Sequence, residues 1–130
     1  MSKAKKQYVG KIGFCQNNVL GFTDKYGNPL KGGHYVYIRE IHGNKCNVNI
    51  VTSLEDKNEQ LFCDKINKVK KGYLYPIPKH DANFSRWSAI NLDGNIQNVS
   101  LTAIKNIGIV SMKKRHRFFV GKYTKIPRKR

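Results

Sequence analysis

Gly32-Gly-His-Tyr-Val-Tyr-Ile-Arg-Glu-Ile41, His42-Gly-Asn44 and Lys45-Cys-Asn-Val-Asn-Ile-Val-Thr-Ser53 form one continuous stretch. Two β-rich runs flank a Gly/Asn turn, which is a hairpin signal. Val36 and Ile38 in the first run, and Cys46, Val48 and Ile50 in the second, all stand at even positions. Side chains alternate faces along a strand, so both sets must share one core. A two-residue loop would split them. A three-residue loop, His42 to Asn44, pairs Ile38 with Val48 and Val36 with Ile50. It puts Asn44 in the left-handed position that Asn tolerates. The same register sets His34 opposite Thr52 at the open end. It leaves Tyr35, Tyr37, Arg39, Asn47 and Asn49 on an aromatic, hydrogen-bonding face.

Outward from the hairpin, many short strands are expected. These are residues 8–14, a small strand at 19–23, an extended aromatic edge over Tyr73-Leu-Tyr-Pro-Ile-Pro78, residues 86–92 returning through Asp93-Gly94-Asn95 into 96–99, then 109–112 and 118–123. The prolines confine 73–78 to an edge. Ser53 with Asp56 reads as a capping box for a helix closed near Gly72, with Leu61-Phe62-Cys63 as an alternative short strand. Residues 100–107 read as a short helix or turn. The pattern predicts a mostly β protein, a small antiparallel barrel with one or two short helices.

The 130 residues predict one domain, with a core over about 8–124 and basic tails at 1–7 and 125–130. With 39% hydrophobic and 11% aromatic residues, the chain can bury a core. Charge is the outlier. Twenty-five Lys and Arg against eight Asp and Glu give +17, and no acid follows Asp93. That excess predicts a polyanionic partner, nucleic acid first, held by salt-sensitive attraction. Lys113-Lys-Arg-His-Arg117 lies between apolar segments and is expected to be held on the domain. The three cysteines, Cys15, Cys46 and Cys63, form no Cys-x-x-Cys pair, so neither a zinc knuckle nor a redox motif is supported and reduced structural thiols are expected. No signal peptide or membrane-spanning run is read, which predicts a cytoplasmic chain with no membrane partner.

Lys31-Gly-Gly-His-Tyr-Val-Tyr-Ile38, Ile50-Val-Thr-Ser53, Ser88-Ala-Ile-Asn-Leu92, Leu101-Thr-Ala-Ile104, Lys113 to Arg117 and Val120-Gly-Lys-Tyr123 follow in an order that resembles the PemK/MazF-like growth-inhibitor toxins. The resemblance covers about residues 30–124. Gly33-His34 stands where the family usually has Arg-Pro, and the segment 54–72 is longer and more helix-like than the family's loop. The resemblance implies an SH3-like barrel acting as a metal-independent endoribonuclease without a cofactor. It also implies a homodimer and an acidic antitoxin protein.

In that reaction the RNA 2′-hydroxyl attacks the adjacent phosphate. The step needs a base, a cation or donor on the phosphate, and a proton for the leaving oxygen. Thr52 matches the family's phosphate-contacting threonine; the competing reading is a strand-end cap. His34 titrates near neutrality and suits proton transfer; the competing reading is a rim histidine packed on Tyr73 or Tyr75. Arg39 can hold a phosphate, with Tyr35 and Tyr37 stacking bases, or these can be exposed strand formers. Ser53, Arg86, Lys113, Lys114 and Arg115 complete the expected RNA contacts. His116 is an alternative acid or base. Trp87 is expected in the core, and His80-Asp81 in a turn.

Overall fold

A computed structural model describes residues 7–93 and 95–123. The protein is mostly β and antiparallel. Among the described residues, seven strands form one sheet: β1 (Ile12–Gln16), β2 (Gly33–His42), β3 (Lys45–Ser53), β4 (Leu74–Ile77), β5 (Ser88–Asn91), β6 (Ile96–Ser100) and β7 (Lys105–Val110). The helices are α1 (Asn17–Leu20), α2 (Cys63–Lys70) and α3 (Lys114–Tyr123). Strand order is β4-β5-β3-β2-β1-β7, with β6 also on β3. No pairing joins β4 to β7 among the described residues, so the ladder is open. The expected basic tails, apart from Gln7, and Gly94 lie outside the described residues.

The central hairpin has the expected partners, Val36–Ile50 and Ile38–Val48. Its loop does not. His42 pairs with Lys45, so only Gly43 and Asn44 turn, and Gly43 takes the left-handed conformation (φ 62°). A bulge at Arg39 supplies the extra residue that the sequence argument gave to the loop. The bulge also reverses facing. Ile41, an odd residue, joins Val36, Ile38, Cys46 and Val48 in one core.

The opposite face is buried as well. Tyr37 is 2% exposed and packs with Ile12, Val51, Ile90, Val110 and Val120 in a second core. Asn47 and Asn49 are buried too. The expected solvent-facing tyrosine surface is therefore a core face for Tyr37, and only Tyr35 is exposed. β3 can serve two cores because its outer edge is shared. Lys45, Cys46 and Val48 pair with β6, while Val51 to Ser53 pair with β5. Asn49 sits at the fork and donates through Nδ2 to the Asn91 carbonyl (2.8 Å).

Other expectations fail for local reasons. Residues 17–20 form α1 where a small strand was expected nearby. Ser53 ends β3 and caps no helix. Asp56 instead closes a turn, its carboxylate accepting from the Asn58 and Gln60 amides, and α2 starts at Cys63. β5 and β6 both pair with β3 rather than with each other. β7 begins at Lys105, earlier than the expected 109. Residues 118–123, read as a strand matching the family's Gly-Lys step, are helix. The edge strand over 74–77 and the turn of helix at Leu101–Ala103 match expectation.

Trp87 is 37% exposed rather than core. Cys15 and Cys46 are buried, and burial pushes the Cys46 thiol up to about 11. Cys63 is exposed. We therefore predict that a thiol reagent at pH 8 labels one cysteine of the folded protein rapidly, and that Cys63→Ser removes that fast phase. Fast labelling of all three would contradict this burial. Among the described residues no helix is long and apolar enough to cross a membrane.

Candidate nucleic-acid interface

The site starts where the β2–β3 ladder stops. Beyond Val36–Ile50 the strands part: His34 pairs with Cys15 of β1, and Thr52 pairs with Ala89 of β5. The expected direct His34–Thr52 opposition is therefore not made. Gly33 lets β1 approach β2 closely at this end. A Cβ there would collide with the Cys15 carbonyl and with the Phe14 ring. We predict that Gly33→Ala destabilises the protein by about 3 kcal/mol or more, read as a lower urea midpoint, because the obstacle includes backbone. A wild-type midpoint would show that β1 can shift away.

Lys65 of α2 reconnects the parted strands. Its Nζ donates to Thr52 Oγ1 (2.7 Å) and to the Ser53 carbonyl (2.9 Å), above the Phe62 ring. Burial, then the neighbouring Lys68, lowers the Lys65 pKa. Lys65 stands close enough to His34 to lower the histidine pKa too, after the larger effect of burial.

His34 has a defined tautomer. Asn17 Nδ2 donates to the Lys31 carbonyl (2.9 Å), which turns Asn17 Oδ1 toward His34 Nδ1 (2.7 Å). An amide oxygen only accepts, so Nδ1 carries the proton and Nε2 is left basic. The ring packs edge-on against Phe22 (5.3 Å), not on Tyr73 or Tyr75. Neither Lys65 nor Asn17 was singled out in the sequence. Asn17 stood in a turn-rich segment, and Lys65 was one of many lysines.

Beside this cluster lies a cavity of about 300 Å³ lined by Tyr35, Thr52, Ser53, Phe84, Arg86 and Ser88, among others. Tyr35 is held edge-on by Phe14 and Phe84 (5.5 and 5.6 Å). Of the expected site residues, His34, Tyr35, Thr52, Ser53 and Arg86 thus gather at the open hairpin end. Tyr37, Arg39 and Lys114 line a different groove.

Lys113 and Arg115 go to a third place. Asp81 is buried and accepts from Lys113 Nζ (3.0 Å), from Arg115 and from His116 Nε2 (3.0 Å). These bonds, His116 first, hold the Asp81 carboxyl well below the usual carboxylate range. His116 Nδ1 meets the Tyr75 hydroxyl (2.8 Å). The first turn of α3 has no acid of its own. Asp81 supplies the anion that a helix N-terminus favours. His80–Asp81 does lie in a turn, the single helical turn Lys79–Asp81; His80 stays exposed while Asp81 is the anion of a buried lock, to which His116, 4% exposed, is committed. Met112, His116 and Val120, spaced by four, are all buried. That helical spacing was visible in the sequence but hidden by counting His116 with the basic residues.

Among the described residues no three His, Cys, Asp or Glu side chains gather as metal ligands do. No protein-family model matches the chain, and no curated protein matches it.

Proposed function

We propose that the open end of the β2–β3 hairpin binds single-stranded RNA and cleaves it without a metal, in the manner of a toxin-like endoribonuclease. The observation that carries the reading is His34 held with Nε2 basic, beside a Lys65 ammonium fixed on Thr52. His34 Nε2 takes the proton from a 2′-hydroxyl. The 2′-oxygen attacks the adjacent phosphorus, and the P–O5′ bond breaks. Lys65 stabilises the charge gathering on the phosphoryl oxygens and returns a proton to O5′. The products are a 2′,3′-cyclic phosphate and a 5′-hydroxyl.

Thr52, Ser53 and Arg86 offer donors to the phosphate, and exposed Tyr35 offers a ring to a base. The +17 charge supports attraction to the strand. In this reading an acidic protein would serve as the inhibitor and a homodimer as the active form.

The test is incubation of the purified chain with a long single-stranded RNA in EDTA. Fragments ending in cyclic phosphate, reduced in Thr52→Ala, would support the reading. Intact RNA that still shifts on a gel in a salt-dependent way would overturn cleavage and leave a binding module.

A further inference from the structure

A second groove, about 600 Å³, lies between the start of the chain (Val9, Gly10), β2 and α3. Tyr37 forms part of its floor and Phe118 part of its wall. Arg39, Lys114, Arg117 and Lys122 also line it. The volume falls within the roughly 300–1,000 Å³ of small-molecule sites.

Three features point to a ligand. Phe118 is 63% exposed, a large ring with only the Lys122 ammonium described over it (5.4 Å from its centre), on a helix whose neighbours Phe119 and Val120 pack inward. The Arg117 Nε–H is buried with no hydrogen-bond partner among the described residues. A buried donor is ordinarily satisfied, so this guanidinium keeps hydrogen-bonding capacity to spare beside the groove. Gly121 lies in α3 without a left-handed φ, and among the described residues a Cβ there would meet only the Tyr37 hydroxyl, at an ordinary 3.5 Å. Neither backbone conformation nor collision requires this glycine, and glycine is among the poorest helix formers. Its effect is to keep the groove open.

We propose that this groove, which shares no lining residue with the cavity beside the cleavage cluster, is a second nucleotide-binding subsite for single-stranded nucleic acid. One base stacks against Phe118 over the Tyr37 floor, and the flanking phosphate is held by Arg39, Arg117 and Lys114. The guanidinium groups of Arg39 and Arg117 along this open groove suit a phosphate, since guanidinium pairs bidentately with phosphate oxygens. Aromatic stacking accepts any base. An acidic peptide would satisfy the charge but has no ring to stack on Phe118 unless it also carries an aromatic residue. The proposal rests on the RNA-binding half of the function above and not on cleavage.

The probe is a labelled RNA of roughly 12 nucleotides, within the span of a single-stranded site, made fully 2′-O-methyl so that it cannot be cut. Gly121→Leu should fill the groove while improving helix propensity. The expected result is about tenfold weaker binding with an unchanged or raised Tm. Arg39→Gln should weaken binding and lower the logarithmic salt slope by about 0.7, as for one lost phosphate on a single strand. Wild-type affinity in both variants would overturn the subsite. It would also be overturned if Gly121→Leu abolished binding of an acidic, Phe-containing peptide and left RNA binding intact. If natural RNA stays uncut while Gly121→Leu still weakens the 2′-O-methyl probe, cleavage falls and the subsite stands.

Discussion

His34→Gln lowers the rate of RNA cleavage by roughly 10²–10⁴-fold, the range for losing a positioned proton acceptor. Glutamine keeps a polar group that can face Asn17 but offers no basic nitrogen. The pH profile carries the stronger test. Burial and Lys65 both lower the His34 pKa, so its neutral form already dominates at pH 7. A base works when deprotonated. The rate should therefore rise with pH through a midpoint below the ordinary histidine value of ~6.5 and then level off.

Lys65 acts as an acid and works when protonated. Its pKa is lowered by burial, so an alkaline limb should fall at a midpoint below the usual ~10.4. Lys65→Met should remove most activity, whereas Lys65→Arg should keep part of it and move the alkaline limb upward. Asn17 touches no substrate and acts as a positioning residue. Asn17→Ala should shift the acid limb as well as slow cleavage, since the tautomer is no longer fixed. Profiles unchanged in position across these variants would separate the cluster from the chemistry, even if rates fell.

Asp81→Asn should lower Tm by roughly 10 °C, because it strips the anion from Lys113, Arg115 and His116 together. An amide keeps the shape and loses the charge. The pH dependence follows from the sign of the shift. The folded-state pKa of Asp81 is depressed, so its stabilisation is fully present above the unfolded carboxylate value of ~3.9. It is lost progressively as pH falls below that value. The wild-type acid limb between about pH 5 and pH 2 should therefore be steeper than that of Asp81→Asn, measured by circular dichroism. An equal acid limb in the two proteins would show that α3 does not depend on this lock.

The hairpin at the centre of the sheet was legible in the sequence because its information is local. Alternation over Val36, Ile38, Val48 and Ile50 determines which residues share a core, whatever the rest of the chain does. The high charge, the edge position of the proline-containing strand β4, and the gathering of His34, Thr52 and Ser53 near one end were legible too. What the sequence could not determine was how the hairpin accommodates its register. A three-residue loop and a two-residue loop with a bulge give identical outer pairs. Only the burial of Ile41 on the even face decides for the bulge at Arg39.

Tertiary structure also decided the two-sided burial of β2 and β3. Tyr37 reads as a surface residue until β5, β7 and α3 supply a second core over it. The same holds for α3. Its first turn is cationic and unfavourable alone, and it forms because Asp81, more than thirty residues earlier, brings a carboxylate to it. Lys65 likewise became part of the site only when α2 folded against the end of β3. Local periodicity is written in neighbouring residues. A helix anion, a second core face and a reaching lysine depend on contacts between distant segments, which only the packed chain brings together.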